Sequence, residues 1–270
     1  MNHRLMTAGL LVLLMLGGCE TVQTTSGGAV GVERQQRMMV SSAQINSAAE
    51  QSYAQTMQTA QAKGVLNRDA NQVNRVRAIA SRLIPATAAF RQDAPGWRWE
   101  VNVISSQEIN AWCMPGGKIA VYTGLMDTLQ LTDAELAAVM GHEIAHALRE
   151  HGREKASQQM AQNAVIGVGA AVLGVGEGGA GLANMVAQVT YGLPNSREFE
   201  READSMGVEL AARAGYDPRA AITLWQKMGQ ASGRGPPGFL STHPTAADRI
   251  TDLQKHAARV MPIYQSTQRR

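Results

Sequence analysis

Apolar residues recur at two different periods in this sequence. Val73, Val76, Ile79, Ala80 and Leu83 repeat every three to four positions, one stripe of a helix from about Asn67 to Phe90. Pro85 would kink or end it. Upstream, Glu33 to Lys63 is rich in Gln, Ala, Ser and Met without Pro, so it reads as a helix stopping near Gly64. Between Trp97 and Tyr122 the period drops to two. Trp97–Ile104, Ile109–Met114 and Lys118–Tyr122 are short strands, with a turn at Pro115-Gly116-Gly117. Helical spacing then returns. Thr132 followed by Glu135 is a capping box, Leu136, Met140, Ile144 and Leu148 form one ridge, and Gly152 suits the position past the last turn. Ser196 to Asp204 opens another helix, on which Glu200, Asp204, Gly207 and Ala211 share a face. Asp217-Pro218 starts a helix to about Gly229. Residues 231–241 form a loop, and Thr242-His243-Pro244 begins a last helix to about Val260. The expectation is an α+β fold, mainly helical, with a small sheet ahead of the central helix.

Composition adds an address. Arg4, a largely apolar run over residues 5–16, and Leu16-Gly17-Gly18 describe a secretory signal over residues 1–18. The run is too short for a membrane-spanning anchor. Leu16-Gly17-Gly18-Cys19 resembles the bacterial lipobox, so Cys19 is expected to carry lipid, and Glu20 after it points to the outer membrane by the enteric sorting rule. Residues 20–32 are small and polar and read as a flexible tether. The organisation expected is a lipidated tether over 19–32, a helix over 33–66, one domain over 67–260 and a tail over 261–270. With Cys19 acylated, Cys113 has no partner for a disulfide and reads as a small core residue. Aromatics are few, while 27 Gly and 14 Met favour close helix packing; the net charge of +3 is unclustered, which argues against nucleic acid. Residues 161–193, apolar with repeated Gly, read as a helical hairpin or flap, with a membrane-contacting segment as the alternative.

The chemistry concentrates in Gly141-His142-Glu143-Ile144-Ala145-His146. Two His four positions apart lie one turn apart on a helix and face away from its apolar ridge, so both imidazoles can reach one metal ion. Glu143 lies beside them, where a carboxylate can hold and deprotonate a water on that ion. Ala138 and Ala145 leave room for a second helix. Glu200 can come from that helix as a third ligand, with Asp204 one turn on orienting His142. Glu198 and Glu202 read as a solvated acidic face, and His151 as a cap on the negative end of the central helix. His243, at a helix start, has a capping role as its default. Its alternative is a place near the metal, as a fourth ligand in a closed form or as an oxyanion donor.

His142-Glu143-Ile144-Ala145-His146, Ser196-Arg197-x-x-Glu200-x-x-Ala203-Asp204, Thr242-His243-Pro244 and Arg249-Ile250 occur in that order. Together with Asn110-Ala111, Pro115-Gly116-Gly117 and Thr123-Gly124-Leu125, they resemble the gluzincin metallopeptidases of the HtpX and CAAX-prenyl-protease family (metallopeptidase family forty-eight) over roughly residues 70–255. The leader and tether look like its soluble lipoprotein branch, of the BepA and LoiP type. The resemblance implies a zincin-like core and one zinc held by His142, His146 and Glu200. It implies catalysis with Glu143 as base and a gating ligand or donor at His243. It further implies misfolded or misassembled envelope proteins as substrates, at a periplasm-facing outer membrane. A lipid-anchored chaperone or adaptor with a closed zinc site is the rival reading.

Overall fold

The computed structural model describes residues 20–165, 180–231, 238–244 and 247–269. The expected signal sequence over residues 1–18, Cys19 and residues 166–179 of the expected flap lie outside the described residues.

Strand β1 (Glu20–Val22) pairs antiparallel with β2 (Gln36–Met38). The segment expected to be a flexible tether is therefore docked. Thr25, Val30 and Gln36 are buried, and Gln36 Nε2 donates to the carbonyl of Arg149 at 2.7 Å and to Glu154 at 2.6 Å. Its small polar side chains satisfy buried charge here, which composition alone cannot reveal. The expected helix from Glu33 begins later, as α1 (Ser42–Ala62), because Ser41 and Gln44 form a capping box there. Helix α2 (Ala70–Ala86) starts on the Asp69 side chain and buries Val73, Val76, Ile79, Ala80 and Leu83, with Pro85 in its last turn.

The sheet holds β3 (Glu100–Ile104), β4 (Ala111–Met114) and β5 (Lys118–Tyr122) in the order β3-β5-β4. β5 runs parallel to β3 and antiparallel to β4. The β4–β5 turn needs left-handed backbone at Gly116 (φ 79°) and Gly117 (φ 85°), and a Cβ on Gly117 would sit 2.7 Å from the Trp99 ring. This hairpin makes β4 an edge strand.

Helix α3 (Thr123–Leu129) leads into the central helix α4 (Asp133–Leu148), opened by the Thr132–Glu135 capping box. Its Leu136, Met140, Ile144 and Leu148 ridge is buried, but so is its opposite face, because later elements cover it. The helix does not continue to Gly152. Glu150 takes φ 51°, and its carboxylate is held by Arg91 at 2.7 Å and Arg153 at 2.8 Å, which stabilises a turn usually given to glycine. Gly152 lies inside the next helix, α5 (His151–Val165).

Beyond come α6 (Ala180–Ala187), a π turn over Gln188–Gly192, and α7 (Arg197–Arg213), capped by Ser196. Helix α7 packs across α4 with backbones in contact: a Cβ on Gly207 would lie 2.7 Å from His142 N, and one on Gly141 2.8 Å from Gly207 O. Gly141 and Gly207 stand face to face at this crossing. Helix α8 (Ala220–Ala231) follows the Asp217-Pro218 turn. The last expected helix is divided. Short α9 (Phe239–Thr242) ends at His243, and α10 (Arg249–Thr267) runs on through most of the expected tail.

Candidate metal centre

Helix α4 supplies His142 and His146, α7 supplies Glu200, and the turn after α9 supplies His243. Each offers one donor atom, the donors all lie within 4.8 Å of one another, and the residues are buried. His142 Nε2 is 3.1 Å from His146 Nε2 and 3.2 Å from His243 Nδ1. Glu200 Oε1 lies 3.3 Å from His146 Nε2 and 2.9 Å from His243 Nδ1, and Glu200 Oε2 lies 3.5 Å from His142 Nε2. A tetrahedral zinc with nitrogen and oxygen ligands at about 2.0–2.1 Å requires ligand–ligand edges of about 3.3 Å. The observed separations bracket that value, so the donor set fits zinc in both chemistry and size.

The surroundings orient these groups. His142 Nδ1 is 3.0 Å from Asp204 Oδ1, the placement expected for Asp204. Arg249 Nη2 donates to Asp204 Oδ1 at 2.7 Å, lies 3.1 Å from Glu200 Oε2, and its guanidinium sits over the Trp225 ring. Asn195 Nδ2 donates to Glu200 Oε1 at 2.9 Å. Phe239 stacks on His243 with ring centroids 4.1 Å apart. Arg249 and Asn195 were given no role from sequence. Arg249's one signal was its place in the motif series, and Asn195 had none.

Glu143 is buried beside the cluster. Its Oε1 has no hydrogen-bond donor and lies 3.4 Å from His243 Nε2. It shares with Cys113, Pro115, His146, Val189 and Asn195 a cavity of about 30 Å³, roomy enough for a water molecule. Cys113 is buried, and burial first, then the nearby Glu143, pushes its thiol well above the usual range, which suits an inert packing role.

Two expectations are corrected. His151 does not cap the central helix: its Nδ1 is 2.8 Å from His146 Nδ1 and its Nε2 is 2.9 Å from Glu202 Oε2. Glu202 is not solvated but buried, held by Arg34 at 2.8 Å and Arg149 at 3.1 Å. Glu198 is exposed, as expected.

Titration follows from these neighbours. Burial pushes the Glu143 carboxyl up. Burial opposes charge on His142, yet Glu200 and Asp204 lift it to about 9. Burial holds His146 well below its ordinary value. Glu200 stays well below the usual carboxylate range, because His243 and His142 outweigh its burial. The pocket is thus a negatively biased nest of nitrogen donors beside a carboxylate poised to take a proton.

The sequence is also similar to known proteins. The model of peptidase family M48 matches residues 70–257. The "Mitochondrial metalloendopeptidase OMA1" of Arabidopsis thaliana is 39% identical over 154 residues, which cover 57% of this chain and 30% of that protein. The protein of the same name in Schizosaccharomyces pombe is 36% identical over 160 residues, 58% of this chain and 46% of that protein. The "Beta-barrel assembly-enhancing protease" of Escherichia coli is 30% identical over 171 residues, 60% of this chain and 35% of that protein. The chain thus spans about a third to a half of the length of these relatives. With the family match extending over more than half of its length and including every donor of the cluster, the chain belongs to peptidase family M48.

Proposed function

We propose that this chain is a zinc-dependent metalloendopeptidase. The observation that carries the reading is the buried four-donor cluster of His142, His146, Glu200 and His243, flanked by the buried Glu143 carboxylate, whose Oε1 has no hydrogen-bond partner. His142, His146 and Glu200 would hold the ion. Zinc bound there supplies a Lewis acid that polarises a peptide carbonyl and brings the pKa of a water to about 7. Glu143 accepts the proton of the attacking water and delivers it to the leaving amine; burial, by raising its carboxyl, suits it to both transfers. Asp204 fixes the His142 ring, and Arg249 holds Asp204 and Glu200 together. His243, whose Nδ1 lies 2.9 Å from Glu200 Oε1 and 3.2 Å from His142 Nε2, would gate access to the bound ion.

The edge strand β4 lies against this cavity through Cys113 but is buried, with Trp112 packed on Tyr191 of the π turn, so an extended peptide would pair with its backbone only once that cover is displaced. Backbone pairing tolerates varied sequences, as quality control of misfolded or misassembled envelope proteins requires. The Escherichia coli relative's name supports that substrate class, whereas the OMA1 relatives are mitochondrial. Acylation of Cys19 would hold the enzyme at the outer membrane, facing the periplasm. Among the described residues, no helix is long and apolar enough to cross a membrane.

One observation favours a second reading. The cluster has a fourth protein donor in His243, which would suit a lipid-anchored chaperone or adaptor with a closed zinc site. The test is Glu143→Gln. The variant is expected to bind zinc like the parent, lose cleavage of an unfolded protein such as casein, and fail to complement a strain lacking the gene. Full casein cleavage would refute the base assignment, and complementation by the inactive variant would favour the adaptor.

A further inference from the structure

The two nitrogens of His146 have different neighbours. Nε2 faces His142 and Glu200, at 3.1 and 3.3 Å. Nδ1 lies 2.8 Å from His151 Nδ1, and both rings are buried. If His146 binds the metal, as the proposed function requires, its Nε2 carries no proton, so Nδ1 does. That N–H donates to His151 Nδ1. His151 then carries its own proton on Nε2, which donates to Glu202 Oε2 at 2.9 Å. Every tautomer in the series follows from the first.

The far end is equally fixed. Arg149 reaches both oxygens of Glu202, at 3.1 and 3.2 Å, and so does Arg34, at 2.8 and 3.2 Å. Phe199 stacks on the His151 ring with centroids 4.4 Å apart and planes 7° from parallel, and Arg34 lies over the other ring in turn, 5.4 Å from the Phe199 centroid. His151 therefore has neither rotational freedom nor a free polar atom. Arg34 belongs to the N-terminal segment, outside the residues that match the family model.

We propose that His151 and Glu202 are positioning residues for His146, and that Arg34 of the N-terminal segment completes the relay, so that metal affinity depends on how that segment is docked. A carboxylate behind a ligating imidazole fixes its ring plane and makes its ligand nitrogen more basic. Asp204 serves His142 directly. His146 receives the same service through one intervening imidazole. A mere ion cluster would need no histidine aimed at the rear of a ligand.

The test is zinc affinity of the full chain by competition with a chromophoric chelator, together with the visible spectrum of the cobalt(II) form. His151→Phe keeps the ring against Phe199 but neither accepts nor donates. It is expected to weaken zinc binding by about 10- to 100-fold and to alter the cobalt bands. His151→Gln, which can accept and donate, is expected to restore most of the affinity. Arg34→Met is expected to give a smaller loss, about tenfold or less. Circular dichroism of the zinc-free proteins reports folding; should His151→Phe not fold, Glu202→Gln replaces it and is expected to lower affinity with its shape preserved. Parent-like zinc affinity in His151→Phe, or in Glu202→Gln where that stands in, would overturn the proposal. So would equal losses in His151→Phe and His151→Gln, because packing alone would then set affinity. Absence of zinc binding by the parent chain is a separate outcome and would overturn the proposed function instead.

Discussion

His142 is pulled in two directions. Burial disfavours its charged form, but the carboxylates of Glu200 and Asp204 outweigh burial and raise it to about 9. At pH 7 the metal-free imidazole therefore carries a proton, which an incoming cation must displace. His146 is held well below neutral by burial and offers a free lone pair. Zinc uptake at pH 7 is thus expected to release about one proton, and affinity is expected to climb with pH until about pH 9 and flatten above it. Calorimetry in buffers of different ionisation enthalpy counts the proton; a count of zero would contradict the arrangement. At this scale His142, Glu143, His146, Glu200 and Asp204 were readable because helical periodicity is local. His151 and Glu202 were not. At 100° per residue, Glu202 points away from Glu200, and what covers that side is Arg34, 168 positions earlier. Local spacing carries no trace of such a contact.

Between elements, the close crossing of α4 and α7 decides whether Glu200 reaches the imidazoles. Gly207→Ala would place a methyl 2.7 Å from His142 N and 2.9 Å from His142 Cα, both backbone atoms that cannot turn aside. The helices must separate, at a cost of about 1–3 kcal/mol in overpacking, and Glu200 is drawn off with α7. The expectation is a lower melting temperature and weaker zinc binding together. Gly229→Ala in α8 meets nothing within 4 Å and is the control, expected to be neutral or stabilising by up to about 1 kcal/mol. The small face of α7, Gly207 included, is legible in the sequence; that Gly141 meets it backbone to backbone is not, since periodicity names a face and not the depth of contact. The end of α4 was misjudged for another reason. Its left-handed residue is Glu150, tolerated because Arg91 and Arg153 grip its carboxylate.

Across the whole molecule, one buried cation ties the segment before α7 to α5. Lys155 Nζ donates to the carbonyls of Val189 at 3.1 Å and Leu193 at 2.6 Å, and to Asn195 Oδ1 at 3.2 Å. Burial lowers its pKa to about 8. Its unfolded value is about 10.4, so between those limits the unfolded chain holds a proton that the folded chain has released. Stability contributed by this group is therefore constant below pH 8 and rises with pH above it. Other groups work in the opposite sense, among them metal-free His142, raised to about 9, up to that pH; Cys113, whose thiol burial raises, from the free-thiol value of about 8.5; and Tyr53, raised by burial to about 12, once free phenols ionise at about pH 10. The Lys155 contribution is therefore read as a difference: the urea midpoint of the parent is expected to rise relative to that of Lys155→Met from pH 8 to 10, and a difference constant with pH would remove Lys155 from the account.

The strand pair at the N-terminus has a further consequence. Glu20 is already a member of β1, bonded to β2, and from there the chain is packed down to the metal helix. A fatty acyl group on Cys19 would hang from the folded body without any slack. The enzyme could not then sweep the compartment on a leash. It would be seated close on the bilayer, and polypeptides would have to reach it along the lipid surface rather than from bulk fluid.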